Sequence, residues 1–253
     1  MPQKIGYQPA LLRYTGPLAT AKYHKIARQF EMVSPKAASL QQLASKITSG
    51  SFSDDIKVIA LCWKALIDIQ GKPKHNEGLL KTGWEIATKM ECENGVLLQG
   101  RVLRHWAHLQ CVQGNYEEAL KFISLAKQRF AIAVHSKETA SMIYTEILVE
   151  WRSLSSSPHP SEFSRVYKST ERNYDLLLQH SETMEEYEKY RLYLYSTEKA
   201  KLHLRSVLIT DKLPSEAYHP SEDDLKKAES CLKGAIVHEN KLPEQANNYK
   251  GNY

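Results

Sequence analysis

Apolar residues recur at intervals of three and four along most of this chain, and that spacing places them on one face of an α-helix. The pattern is clearest over residues 98–112 and 116–130. The alternation of apolar and polar residues that is typical of strands never lasts long enough to compete. Only 11 Gly and 10 Pro occur among 253 residues, which leaves few of the tight turns that a sheet protein needs. The sequence therefore predicts an all-α fold.

About ten helical segments follow one another, and short loops join them into roughly five antiparallel pairs. Ser53 and Ser221 precede acidic residues, so each is predicted to cap the start of a helix. Breaks are predicted at the loop of residues 71–77 and at Glu93-Asn94-Gly95. The segments are predicted over residues 17–33, 35–49, 53–70, 79–91, 98–112, 116–130, 136–151, 161–179, 182–210 and 221–237.

Helical hairpins of this size cannot each enclose a core, so consecutive hairpins must stack and bury their faces against one another. Residues 103–126 carry a pattern suited to stacking, because small residues let two helices approach and bulky ones fill the gap to the next hairpin. The positions are Leu103, Trp106 and Ala107 in the first helix, Gly114 and Tyr116 at the turn, and Ala119, Ile123 and Ala126 in the second. This pattern resembles the tetratricopeptide repeat (TPR), and weaker versions occur over residues 54–91 and 221–237.

The resemblance implies a TPR-like α-solenoid of about five antiparallel helix pairs over residues 17–240, irregular and divergent in its repeat spacing. Residues 1–16 are then expected to form a flexible N-terminus. Residues 241–253 are expected to form a flexible tail, as if a longer protein continued beyond them.

TPR-like stacks bind extended peptides along a concave groove that is lined by the first helix of each pair. The resemblance places Arg101, Arg104 and His108 toward that groove, and Lys57 and Lys64 in the preceding first helix extend the basic patch. Arginine binds carboxylates and phosphates through two parallel hydrogen bonds. The implied role is a non-enzymatic protein–protein interaction scaffold for an acidic peptide or a partner domain, and the alternative is an ordinary solvated helix face.

Sequence signatures of catalysis are absent: there is no phosphate-binding glycine loop, no dinucleotide-binding motif, no HExxH and no GxSxG. We therefore expect that the protein is not an enzyme and that it needs no cofactor. His105, His108 and Cys111 span about 120° of one helix and could only partly converge on a metal ion, and a fourth ligand would have to come from another helix, so no metal site is predicted. The modest net charge of +5 leaves RNA or nucleotide-end binding by a basic helical-repeat pocket as the second hypothesis.

The segment of residues 185–195 is rich in tyrosine and has two interpretations. Tyrosines on several faces are typical of a contact surface, since aromatic residues are enriched at interfaces. A helix that is apolar over a wide arc is also typical of burial between neighbours, and we favour that interpretation.

The remaining features concern the cellular setting. No run of apolar residues approaches the roughly 18 that a membrane-spanning helix needs, and the N-terminus lacks the pattern of a signal peptide. The four cysteines show no CxxC spacing and are expected to be free thiols packed as small apolar side chains. We therefore expect a cytoplasmic protein without membrane association.

Overall fold

The computed structural model describes eight stretches of the chain. They are residues 38–50, 52–67, 72–91, 93–132, 136–155, 158–182, 190–204 and 220–239. The predicted helix over 17–33 and the predicted N-terminal and C-terminal flanks lie outside the described residues. The domain boundaries near residues 16 and 241 lie there too and stay predictions.

Every regular element in these stretches is an α-helix, which confirms the predicted all-α class. The helices are α1 (Ala38–Ser49), α2 (Asp54–Ile67), α3 (Pro73–Thr88), α4 (Glu93–Val112), α5 (Tyr116–Ile132), α6 (Ser136–Ser153), α7 (Pro160–Glu182), α8 (Tyr190–His203) and α9 (Glu222–Glu239). None of these helices combines the length and the apolar character that crossing a lipid bilayer requires.

The chain divides into two compact units, Met1–His135 and Ser136–Tyr253. In the first unit, α1 to α5 pack against one another in chain order, and α2 also packs against α4. In the second unit, α6 to α9 likewise pack in chain order. Within each unit, every described helix therefore packs against its neighbours in the sequence.

A tight turn joins α4 and α5 into a hairpin. Gly114 has a φ of +81°, a left-handed conformation that glycine adopts without strain. The backbone N–H of Asn115 donates to the carbonyl of Gln110 at 2.9 Å, and that of Gly114 donates to Cys111 at 3.1 Å. This pair of bonds closes the C-terminus of α4 as a Schellman motif. The turn predicted at Gly114-Asn115 is therefore confirmed.

Small and aromatic residues pack the two helices of this hairpin together. Ala107, Ala119 and Ala126 are fully buried, as the repeat pattern predicted. The rings of Trp106 and Phe122 stack with centroids 5.4 Å apart and planes within 2° of parallel. Trp106 of the repeat pattern thus contacts α5, and the alanines of the pattern are buried on both helices.

Three local predictions were wrong. Residues 73–77 were expected to belong to a loop, but α3 begins at Pro73, because a proline in the first turn sacrifices no helical hydrogen bond. Glu93-Asn94-Gly95 was expected to be a break, but it forms the first turn of α4. The Ser53 hydroxyl was expected to cap α2, but it makes no hydrogen bond in the described structure.

Aromatic contacts join helices of the second unit. Trp151 of α6 meets Phe163 of α7 edge-on, with ring centroids 5.7 Å apart. The indole N–H of Trp151 donates to the Thr170 hydroxyl at 2.8 Å, and both side chains are buried. Tyr144 of α6 contacts Tyr195 of α8 at 5.8 Å. Of the predicted segment over 182–210, Glu182 ends α7 and residues 190–203 form α8, while residues 183–189 and 205–210 lie outside the described residues.

Candidate functional site

The predicted basic residues of α4 lie on one half-buried stripe of that helix. The stripe has five members at spacings of three and four residues, so they share a face. They are Leu97, Arg101, Arg104, His108 and Val112, and we call them the α4 stripe. All five are half-buried, and no residue between Gly95 and Val112 is exposed. Val96, Gln99 and Trp106 of α4 are half-buried as well, so the α4 stripe is the basic part of the partial solvent access of this helix.

The charged side chains of the α4 stripe are all positive, and an apolar residue lies at each end of it. The sequence from Asn94 to Val112 contains no aspartate or glutamate, so α4 carries no acidic side chain beyond Glu93 in its first turn. Cations on a partly covered helix are screened by water less than cations on an open surface. The stripe is therefore the part of α4 that would attract an anion.

His105 is a buried residue of α4 next to the α4 stripe. In the sequence it was considered only as a metal ligand. Its side chain is 2% exposed, and its Nδ1 lies 2.8 Å from the carbonyl oxygen of Arg101. A carbonyl only accepts, so Nδ1 carries a proton and donates it. In the neutral ring Nε2 is then an acceptor, and it lies 3.5 Å from Nη2 of Arg104. His105 thus holds the guanidinium of Arg104 from the buried side, a role that its position one residue after Arg104 could have suggested.

Lys57 and Lys64 lie on α2, the helix that packs against α4. They are seven residues apart on one face, and both are half-buried. The remaining residues of α2 between Asp55 and Leu66 are buried or half-buried as well. The five predicted binding residues therefore divide into two groups, one on each of two packed helices.

A second polar cluster lies in the other unit, where Tyr167, His203 and Asp224 join three helices. The Tyr167 hydroxyl lies 2.9 Å from Nδ1 of His203 and donates to Oδ1 of Asp224 at 3.3 Å. A phenol has one proton, so with that proton given to Asp224 the oxygen accepts from the ring of His203. His203 is 1% exposed and Asp224 is 8% exposed. The cluster is a buried link between α7, α8 and α9.

The surroundings of His203 favour its neutral form. Burial lowers the pKa of His203, and the nearby Lys199 and Lys227 lower it further, while Glu171 and Asp224 act in the opposite direction. The Nε2 atom of His203 is 3.9 Å from Oε1 of Glu171, too far for a hydrogen bond. The histidine therefore serves this cluster as a neutral donor.

Asp224 also closes the start of α9. Its backbone N–H donates to the Ser221 hydroxyl at 3.2 Å, and Oδ2 of Asp224 accepts from the Ser221 backbone N–H at 3.0 Å. This reciprocal pair is a capping box with aspartate in the place of glutamate. The predicted cap at Ser221 is confirmed.

The tyrosine-rich segment is packed between helices where the structure describes it. Every residue from Arg191 to His203 is buried or half-buried, and Tyr195 is 1% exposed. Burial raises the pKa of the Glu198 carboxyl, against the opposing effect of Lys201, whose Nζ lies 3.4 Å away. These observations favour the interpretation of α8 as a helix between neighbours. Tyr187 lies outside the described residues.

Metal binding finds no support in the described stretches, where no three His, Cys, Asp or Glu side chains are grouped to hold an ion. Cys62, Cys111 and Cys231 are free thiols, and the first two are buried, as the sequence predicted. Burial raises the pKa of the Cys231 thiol. The described cysteines therefore pack as apolar side chains.

Comparison of the chain with protein-family models, with curated proteins and with solved structures finds no match in any of the three.

Proposed function

We propose that this protein is a non-enzymatic interaction scaffold, built from TPR-like hairpins, that binds an acidic peptide along the α4 stripe. The observation that carries the proposal is the stripe itself, with Arg101, Arg104 and His108 half-buried on one face of an inner helix. The stack and its ligand are supported by separate observations.

The alternation of inner and outer helices supports a stack of hairpins. The described residues of α4, α6 and α8 that follow the first turn are all buried or half-buried. By contrast, α3, α5, α7 and α9 each present an exposed face. In a stacked array of hairpins, one helix of each pair contacts the neighbouring pairs and the other faces outward. Packing in chain order within each unit, together with the extra contact between α2 and α4, fits that arrangement.

The chemistry of the stripe favours a carboxylate-bearing ligand. A guanidinium presents two parallel N–H groups that match the two oxygens of a carboxylate. Arg104 is held from the buried side by His105, so part of the entropy of ordering its long side chain is already lost before a ligand arrives. Lys57 and Lys64 on the adjacent helix lengthen the basic surface, which suits an extended chain with several acidic residues.

The test is fluorescence anisotropy with a fluorescein-labelled oligoglutamate peptide and the double variant Arg101→Glu/Arg104→Glu. The matched control is Lys74→Glu/Lys81→Glu, which makes the same change in net charge at two exposed positions of α3. We expect the arginine variant to lose at least about tenfold in affinity, since charge-assisted hydrogen bonds contribute about 1.5–3 kcal/mol each. We expect the lysine control to bind within about twofold of the wild type.

Two results would reject the assignment. Equal losses in both double variants would mean that the peptide senses net charge and not this stripe. Tighter binding of an oligouridylate than of the peptide, with a steep dependence on salt, would replace the peptide by nucleic acid as the ligand. Circular dichroism of each variant establishes that the helices are retained.

A further inference from the structure

Helix α9 buries its small residues and exposes its large ones. Its buried positions are Asp224, Ala228 and Ala235, with Cys231 half-buried. Its exposed positions include four large aliphatic side chains: Leu225 at 48%, Leu232 at 40%, Ile236 at 57% and Val237 at 52%. Four of the nine exposed large apolar residues of the described chain therefore lie on this one helix. The packing against α8 does not account for them, so a second surface is expected to cover them.

Three of these side chains form a continuous band. Leu225, Leu232 and Ile236 are separated by seven and four residues, which brings them within about 40° of one another around the helix axis. We call this band the α9 stripe. Apolar residues at this spacing are those with which one helix packs along another. A helix is thus the shape of partner that fits it.

Charges of alternating sign run along one side of the α9 stripe. Glu222, Lys226, Glu229 and Lys233 all lie about 40–100° around the axis from Leu225. Lys226 pairs with Glu222 at 2.9 Å and Lys233 pairs with Glu229 at 2.7 Å, and all four side chains are at least 64% exposed. This charged flank has an order of minus, plus, minus, plus in the chain direction.

We propose that the α9 stripe binds the α9 stripe of a second copy of this chain, with the two helices antiparallel about a two-fold axis. In an antiparallel two-fold pair the same flank of both helices meets. An axis midway between Lys227 and Ala228 places Glu222 opposite Lys233 of the second copy, and it places Lys226 opposite Glu229 in the same way. All four charges of the flank then face opposite charges on the other helix.

The same register also brings the leucines together. Leu225 of one copy and Leu232 of the other are offset by two residues, which is about 3 Å along the helix axis. The two-fold axis generates this contact twice, so two leucine layers lie between the flanking ion pairs. A single short helix pair buries little area, so the dimer is weak and depends on concentration.

The first test is the mass of the full chain in solution, measured by sedimentation equilibrium over a wide range of concentration. We expect the mass to rise from that of one chain toward that of two chains. The variant Leu225→Lys/Leu232→Lys should stay monomeric at every concentration. The matched control Leu120→Lys/Leu125→Lys changes two exposed leucines of α5, at 39% and 44%, and should dimerise like the wild type.

The second test addresses the register. The exchanged variant places lysine at positions 222 and 229 and glutamate at positions 226 and 233. It keeps the ion pairs of the flank within α9, and it keeps the ion pairs between two copies of the exchanged chain. We therefore expect the exchanged variant to form homodimers. Mixed with tagged wild-type chain, it should form few mixed dimers, because each interhelical pair would then join like charges.

Three outcomes would overturn the proposal. A wild-type chain that remains monomeric at the highest concentration would mean that another segment or another protein covers the α9 stripe. Dimerisation of the wild type that survives Leu225→Lys/Leu232→Lys would place the interface elsewhere. Free formation of mixed dimers would exclude the antiparallel register, and circular dichroism of the exchanged variant guards against loss of helix.

Discussion

The contact between Gly100 of α4 and Phe130 of α5 gives the sharpest prediction about stability. A Cβ atom placed on Gly100 would lie 2.6 Å from Cε1 and 2.9 Å from Cζ of the Phe130 ring. Carbon atoms in van der Waals contact are about 3.5–4.0 Å apart. Phe130 is 3% exposed, so its ring cannot turn into solvent to make room. The substitution Gly100→Ala must therefore push α4 and α5 apart.

Two opposing effects set the size of the change. Overpacking a close-packed contact costs about 1–3 kcal/mol. Replacing glycine by alanine inside a helix contributes about 1 kcal/mol of stability. Gly100→Ala is thus expected to destabilise the first unit by roughly 0–2 kcal/mol. Gly78→Ala in α3 supplies the control, because its added Cβ meets nothing within 4 Å and it should gain the full increment.

The measurement is urea-induced unfolding of the full chain, followed by circular dichroism and tryptophan fluorescence. The informative quantity is the difference in unfolding free energy between the two alanine variants, which we expect to be about 1–3 kcal/mol in favour of Gly78→Ala. If both substitutions stabilise the chain equally, then α4 and α5 are not in contact at Gly100 and the packing of this hairpin is wrong.

Three further predictions concern buried hydrogen bonds. Burial lowers the pKa of His203 below its unfolded value, so the unfolded chain binds more protons than the folded chain. The unfolding free energy should therefore fall as the pH drops below about 6.5. In urea titrations at about pH 7.5 and pH 5, His203→Asn should lose less stability between the two pH values than the wild type. Thr170→Val should cost about 1–3 kcal/mol by leaving the buried indole N–H of Trp151 without its acceptor, and a change below about 0.5 kcal/mol would contradict this hydrogen bond. In the oligoglutamate assay, His105→Gln should keep an acceptor for Arg104 and bind the peptide normally. His105→Asn should lose that acceptor because its side chain is shorter, and it should bind the peptide more weakly. Equal binding by the two variants would mean that His105 does not position Arg104.

Local chemistry explains why parts of this fold could be predicted from the sequence. The Gly114-Asn115 turn depends on one residue that enters the left-handed region without cost, and the cap of α9 depends on Ser221 and Asp224 three residues apart. Both signals act within a few residues, so they are visible in the sequence. The apolar periodicity similarly indicates that these segments are helices.

Other features depended on contacts that the sequence does not display. Gly95 suggested a break, but a Cβ there would lie 2.4 Å from the carbonyl oxygen of Met90, so the glycine permits a close approach of α4 to the end of α3. The role of His105 depends on the direction of its ring, which only the packed helix defines. Leu225 and Leu232 of α9 are exposed although they share its helical apolar spacing with the buried Ala228 and Ala235, because periodicity alone does not distinguish the covered side from the uncovered one.

The position of the α4 stripe has a consequence for how it would bind. Lys121 of the outer helix α5 has a side chain that is 70% exposed, so water screens its attraction to an anion. Arg101 and Arg104 lie on an inner helix and are half-buried, so their charges are screened less. Attraction to a carboxylate is stronger in such surroundings, and fewer rotamers remain to be lost on binding. An acidic ligand should therefore prefer the α4 stripe to the more numerous lysines of the outer helices.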